Sequence, residues 1–284
     1  MTRNRSIIIG GAMLGLIVLL AILAPALGTT DPSRVEPVMR NKRPGAVATE
    51  RNADGTTTER TFWMGTDSLG RDVYSRVVYG ARVSLVVGVT VAAISAAIGL
   101  AIGIVAGYVR WLDMLVMRVM DGLMSIPAIL LAIGLVSISR AGLRTVIIAI
   151  VIPEVPRVVR LVRSVVLSVR EEPYVEAAVA LGAKTPKLLL RHVLPNTIAP
   201  IIVQATFVCA SAILVEAILS FLGVGIPPAT PTWGNIMAEG RTLFRLFPHN
   251  ILFPGLLLAV TVLAVNMLGD GLRDMLDPRT RKQI

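Results

Sequence analysis

Six stretches of this chain are apolar for long enough to cross a membrane. They run from Ile7 to about Leu27, from Ser84 to about Tyr108, from about Met120 to Ile138, from near Thr145 into a basic stretch at Arg157, from Thr197 to Leu222, and from Ile251 to Leu268. A helix needs about 20 such residues to cross roughly 30 Å of hydrocarbon. Composition agrees: 54% of residues are hydrophobic and 16% charged, against roughly 45–50% and about 25% in a soluble domain. The chain is too apolar for a soluble globule or a disordered segment. Its single cysteine excludes an internal disulfide and a cysteine-based zinc cluster. The fold class is an all-α polytopic membrane protein with six transmembrane helices.

The first stretch follows Arg3 and Arg5 and ends in Ala24-Pro25-Ala26, a pattern like a signal-peptide cleavage site. The apolar run before that site is about 18 residues, longer than the 7–15 of a signal, and predicts a retained helix. Orientation follows from basic residues. With the N-terminus inside, the cytoplasmic segments carry fifteen Lys and Arg and the two short external loops carry four: Arg140, Arg144, Arg241 and Arg245. Both termini are then cytoplasmic. The organisation is a first helix within 1–27, an extracytoplasmic segment 28–83, a core of five helices over 84–272 and a tail 273–284. The core includes a cytoplasmic loop 168–195 and an external loop 223–250. Asn41–Arg60 reads as flexible loop.

Several chemistries are excluded. None of Lys42, Lys184, Lys187 and Lys282 follows a glycine, so there is no phosphate-cradling Walker A loop. His192 and His249 are far apart and lack a metalloprotease spacing, so no metal site, catalytic residue or cofactor is expected. Cys209 lies in an apolar span and reads as an inert buried thiol. The net charge of +10 fits basic loops beside anionic lipid. Nucleic acid is not the expected partner, because basic residues are not interleaved with aromatics.

Ionisable groups inside spans are functional candidates. Glu154 lies in Pro153-Glu154-Val155-Pro156, where two prolines should interrupt the helical hydrogen-bond ladder. It is either a gate or substrate contact at a broken helix, or a carboxylate paired with Arg157 or Arg160. Glu216, late in the fifth span, either lines a pathway or makes an interhelical hydrogen bond. Asp121 suits the N-terminus of the third span. Ser95, Gly99, Gly103 and Gly107 recur every four residues and form a face that another helix can approach closely. Gly11 and Gly15 make a shorter face of the same kind.

The loop after the fourth span has its own order. Tyr174 to Leu181 should form a short helix that Gly182 ends with a positive φ. Thr185-Pro186 suits the start of a second helix, which should reach Leu194 before Pro195. Two short helices at an angle would make a knob projecting into the cytoplasm.

Within this loop, Glu176-Ala177-Ala178, then Gly182, then Leu194-Pro195 resembles the EAA loop of ABC importer permeases. His192 departs from the general pattern, which is apolar there. Arg191-His192-Val193-Leu194-Pro195-Asn196 is similar to the peptide-importer branch. The resemblance extends to Met64–Asp72, Ser75-Arg76, Tyr79–Leu85, Arg160–Arg163, Leu219–Gly225, Pro231–Asn235 and Leu268–Asp274. It implies a type I permease fold and a subunit that moves dipeptides or oligopeptides across the cytoplasmic membrane of a prokaryote. Nickel or glutathione importers share the motifs. A proton-coupled transporter using Glu154 and Glu216 is the alternative from another class. The resemblance also implies a second homologous permease, two ATP-binding subunits that hold the ATPase activity, and an extracytoplasmic peptide-binding protein. On it, Glu176, Ala177, Ala178, Gly182, Lys184, Pro186, Arg191, His192, Leu194 and Pro195 form the ATPase-coupling loop.

Overall fold

The computed structural model describes residues 5–51 and 57–276. Arg3 and the tail cations Arg279, Arg281 and Lys282 lie outside the described residues. In chain order the helices are α1 (Arg5–Ile22), α2 (Val73–Tyr108), α3 (Arg110–Met124), α4 (Ala128–Ile138), α5 (Leu143–Arg170), α6 (Pro173–Ala180), α7 (Thr185–Leu188), α8 (Leu194–Phe221), α9 (Trp233–Gly240) and α10 (His249–Leu276). Strands β1 (Ala46–Arg51) and β2 (Thr57–Phe62) pair antiparallel, with Ala46 opposite Phe62. The segment expected to be loop thus carries a hairpin. Phe62 and Ala48 are buried beneath it and Val47 points outward, the two-residue alternation of a one-sided sheet.

Among the described residues, four helices are long and apolar enough to cross a membrane: α1, α2, α10 and the continuous run Thr185–Phe221. The bent pair α3–α4 makes a fifth if taken as one span. The third expected span is therefore not one straight helix. Pro127 ends the first half, because it disfavours helical backbone at Ile126 and has no N–H to give, and α4 leaves at 85° to α3. Asp121 sits in the last turn of α3, not at a helix start as expected.

Helix α2 begins at Val73 rather than Ser84, where Asp72 caps it by accepting from the Ser75 N–H. Its 36 residues span about 54 Å, well beyond the hydrocarbon. The extra turns form the floor of a polar assembly at the hairpin end. There Arg76, fully buried, donates from Nη1 to Asp67 Oδ2 at 2.9 Å and lies 3.1 Å from Glu239 Oε2. Arg71 Nε reaches Asp67 at 2.7 Å and its Nη2 also meets Glu239. Glu239 belongs to α9, which is clamped over this end. Trp233 donates its indole N–H to Val77 O at 3.0 Å, and Thr232 and Asn235 cap each other reciprocally.

At mid-height, α2 lies along α5. A Cβ built on Gly99 would stand 2.5 Å from Val158 Cβ, on Gly103 2.6 Å from Val162 Cβ, and on Gly107 2.8 Å from Val166 Cβ. Lipid tails are as apolar as valine, so such helices are held by dispersion contacts that only close approach provides. Along α1 it is Gly10 that meets α10, 2.8 Å from Ala264 O by the same construction. Gly11 and Gly15 face away, with nothing within 4 Å.

Candidate coupling elbow

The end opposite the hairpin carries the elbow made by α6 and α7. Pro173 opens α6, where its missing N–H costs nothing. The helix stops at a Schellman motif: Gly182 N–H bonds Val179 O at 2.9 Å and Ala183 N–H bonds Ala178 O at 3.0 Å. Gly182 takes φ +81°, which a residue with a Cβ adopts only at a cost. Pro186 lies in the first turn of α7, but Thr185 does not cap it. Lys184 holds the cap position and no side chain bonds there.

The second helix does not end before Pro195, as expected from the sequence. A π-turn over Leu189–Val193 carries it into α8, with Leu194 N–H bonded to Leu189 O. Pro195 has no N–H for the carbonyl one turn back, and its ring would press on that carbonyl in a regular helix. The wider turn relieves the clash, so elbow and span become one rod. In α5 the helix likewise runs on through Pro153 and Pro156 and is not broken there.

Two apolar anchors, Val175 and Leu188, are each 1% exposed and fix the elbow to the body. What they leave outside is unusual: Leu181 is 88% exposed, Leu190 67% and Val179 54%. Leu181 stands beside a hollow of about 620 Å³ whose other walls include Lys184, Lys187, Arg191 and His192. Glu176, Ala177 and Pro186 are exposed, Ala178 partly so. Glu176 borders a second hollow of about 480 Å³ with Tyr108, Arg170 and Val179. An apolar knob at a rigid corner, with cations on one flank and a carboxylate on the other, is suited to a groove on another protein.

The two acids of the spans lie elsewhere. Glu154 is 2% exposed and accepts from Ser211 Oγ of α8 at 2.9 Å and from Arg157 Nη1 at 3.2 Å. Arg160 pairs with Asp121 instead. Glu216 is fully buried. Ser220, one turn on in α8, donates to it at 2.7 Å, and Ser84 of α2 and Thr232 also interact with its carboxyl. Ser220 Oγ in turn receives Ile226 N–H at 3.3 Å, so this acid secures the chain's exit from α8. Ser95 is fully buried, on the α2 face that also carries Gly99.

Residues 99–282 match the family described as binding-protein-dependent transport system inner membrane component. The chain belongs to this family. A protein of Sinorhizobium fredii named as a probable peptide ABC transporter permease is 54% identical over 281 residues, covering 99% of this chain and 91% of the relative. A dipeptide transport system permease of Alkalihalophilus pseudofirmus is 41% identical over 280 residues, covering 98% and 88%. A glutathione transport system permease of Escherichia coli is 46% identical over 220 residues, covering 77% and 73%. Among solved structures, the inward-facing MetNI methionine ABC transporter aligns with a TM-score of 0.59 over 71% of this chain and 97% of its own, at 20% identity. At that identity the likeness establishes the fold, that of a type I permease.

In this multi-pass membrane permease, a lock that the loop motif does not announce joins α6 to the start of α8. Asn196 Nδ2 donates to Tyr174 OH at 3.1 Å and to His192 O at 2.6 Å, and the Tyr174 and His192 rings lie 6.1 Å apart. His192, which departs from the apolar pattern, is half-buried beside the Tyr174 ring. Tyr174 and Asn196, at the two ends of the loop, were the only sequence signal.

Proposed function

We propose that this chain is one permease subunit of an ATP-driven peptide importer. A second, homologous permease completes the pathway, two ATPase subunits or domains drive it, and an extracytoplasmic peptide-binding protein delivers the substrate. Peptide transport is named for relatives that match this chain nearly end to end. The proposed orientation puts the elbow and both termini in the cytoplasm and the hairpin and α9 outside. The six crossings are then α1, α2, the bent α3–α4 pair, α5, α8 and α10.

The observation that carries this reading is the elbow: an exposed apolar knob on a glycine-set corner, continuous with a spanning helix. Closure of the ATPase pair around ATP moves the groove that holds Leu181 and displaces α6 and α7 together. Thr185–Phe221 is 37 residues long, about 55 Å at helical rise. It delivers that displacement to the opposite end, where Ser220 holds the turn to α9. Glu154, bonded to both Ser211 and Arg157, ties α5 to this rod rather than carrying protons.

The test is uptake of labelled peptide in cells, with the chain's membrane level and any accompanying ATPase measured together. Gly182→Val and Glu176→Lys abolish uptake while the chain still inserts, and the ATPase either dissociates or hydrolyses ATP without transport. Normal ATP-driven uptake in both variants contradicts the role assigned to the elbow. The ligand bound by the binding protein decides between dipeptides, longer peptides, nickel and glutathione.

A further inference from the structure

We propose that Arg157 is a substrate contact midway across the membrane, where the free edge of its guanidinium takes the carboxylate of the peptide in transit. The inference deepens the permease reading and rests on it and on the orientation proposed above. Val158, the next residue of α5, meets Gly99 of α2. Gly99 is nine residues from the Tyr108 end of α2, about 13.5 Å of helical rise and close to half of the roughly 30 Å of hydrocarbon. At that level the Arg157 side chain is 47% exposed. An arginine at such depth is costly against lipid, and is found facing a bundle interior or a water-filled cavity.

The rest of this face of α5 is of the same kind. From Pro153 to Ser168 its exposed residues are Arg157, Arg160, Ser164 and Ser168, with no apolar one among them. Between Thr145 and Ile152 the exposed residue is Ile148. One turn from Arg157 toward the cytoplasm, Leu161 borders a hollow of about 440 Å³ between α5, α8 and α10. Gln204 lies on it, two turns from Ser211 along the same face of α8. The hollow ends at Arg273 and Leu276 in the last turn of α10, and no carboxylate lines it.

The guanidinium of Arg157 is only half used. Its Nη1 lies 3.2 Å and 3.4 Å from the two Glu154 oxygens. Its Nε and Nη2 have no hydrogen bond among the described residues. Glu154 is buried and also accepts from Ser211, so it anchors the arginine from behind and leaves the open side cationic. Nε and Nη2 form a planar fork that matches the two oxygens of a carboxylate. The terminal carboxylate of a peptide fits this fork, and so do the carboxylates of glutathione. A bare divalent cation is repelled by it.

The test uses the nucleotide-free transporter, complete with its partner subunits, in inside-out membrane vesicles. Leu161→Cys in a Cys209→Ala background places a thiol one helical turn from Arg157. It should react with charged methanethiosulfonates added from the cytoplasmic side. With each rate normalised to a free thiol, the sulfonate reagent should react faster than the trimethylammonium one. At equal membrane levels, Arg157→Gln should lower that preference roughly tenfold, the effect of removing one unit charge a helical turn away in water on reagents of opposite sign. Arg157→Lys should keep the preference. Millimolar trialanine should slow the sulfonate reaction and trialanine amide should not, and the slowing should vanish in Arg157→Gln. A thiol closed to both reagents would make the stripe a lipid or protein contact. A preference that survives Arg157→Gln, or equal slowing by the acid and the amide, would remove the carboxylate contact. Each of these results overturns the proposal. No step here involves ATP, whereas the permease reading fails if the wild-type chain supports no ATP-driven peptide uptake, so the two failures are distinct.

Discussion

The two ends of this molecule handle the same kinds of side chain in opposite ways. At the hairpin end Arg71, Arg76, Asp67 and Glu239 are drawn under α9 and pair with one another. At the elbow end Glu176, Lys184, Lys187 and Arg191 stay in solvent, beside a leucine left 88% exposed. Removing one member of a buried charge network strands the others, whereas an exposed charge is solvated with or without a neighbour. The hairpin end is therefore built to hold its shape within one chain, whereas the elbow leaves its apolar and charged groups open, as the proposed ATPase contact requires.

The largest effect should come from breaking the buried side of this contrast. Arg76→Met leaves Asp67 and Glu239 facing only Arg71, and should cost about 3–5 kcal/mol. The expected readout is loss of folded chain from the membrane, while Glu176→Gln at the elbow leaves the level unchanged. Next comes the glycine face between the two ends. Gly103→Leu drives a side chain into Val162, already 2.6 Å from the built Cβ, and should cost about 1–3 kcal/mol. A lower melting temperature in detergent checks it. Unchanged melting would mean that α2 and α5 can separate freely.

A smaller effect concerns pH. Burial pushes the Glu239 carboxyl up to about 7, against the pull of Arg71. The folded protein then holds this proton more tightly than the unfolded chain does. Its contribution to stability is present in acid and lost as pH rises through about 7. Wild type should lose more thermal stability between pH 5 and 8 than Glu239→Gln does. Equal losses would remove Glu239 from the account. The smallest effect is expected at Glu154. Glu154→Gln keeps a hydrogen-bond acceptor for Ser211, and ATP-dependent uptake should remain independent of the proton gradient. Uptake that follows the gradient and needs the ionisable group would favour the proton-coupled reading.

What the sequence made legible follows from how local each signal is. The apolar runs of α1, α8 and α10, the corner at Gly182 and the spacing of Gly99, Gly103 and Gly107 are each set within a few turns of helix. The early start of α2 was hidden because Arg71 and Arg76 read as a polar loop. Their partner Glu239 is more than 160 residues away in sequence. The break at Pro127 was written in the sequence, but the apolar run through Met120–Ile138 outweighed it. The hairpin also had a signal, Asp54-Gly55 between two threonine-bearing runs, which was masked by their polarity. Prolines misled in both directions. Pro153, Pro156 and Pro195 are carried inside helices, one with the help of a π-turn, whereas Pro127 ends one.

The account turns on the elbow being a contact surface, and Leu181 tests this most directly. The measurement is the amount of ATPase subunit that copurifies with Leu181→Asp, relative to wild type, at equal levels of the chain in the membrane. Because this side chain is almost wholly exposed, its replacement should leave the level and melting of the chain unchanged. The account predicts that the ATPase is lost from the complex, and peptide uptake with it. Retention of the ATPase at the wild-type ratio, with normal uptake, would contradict it.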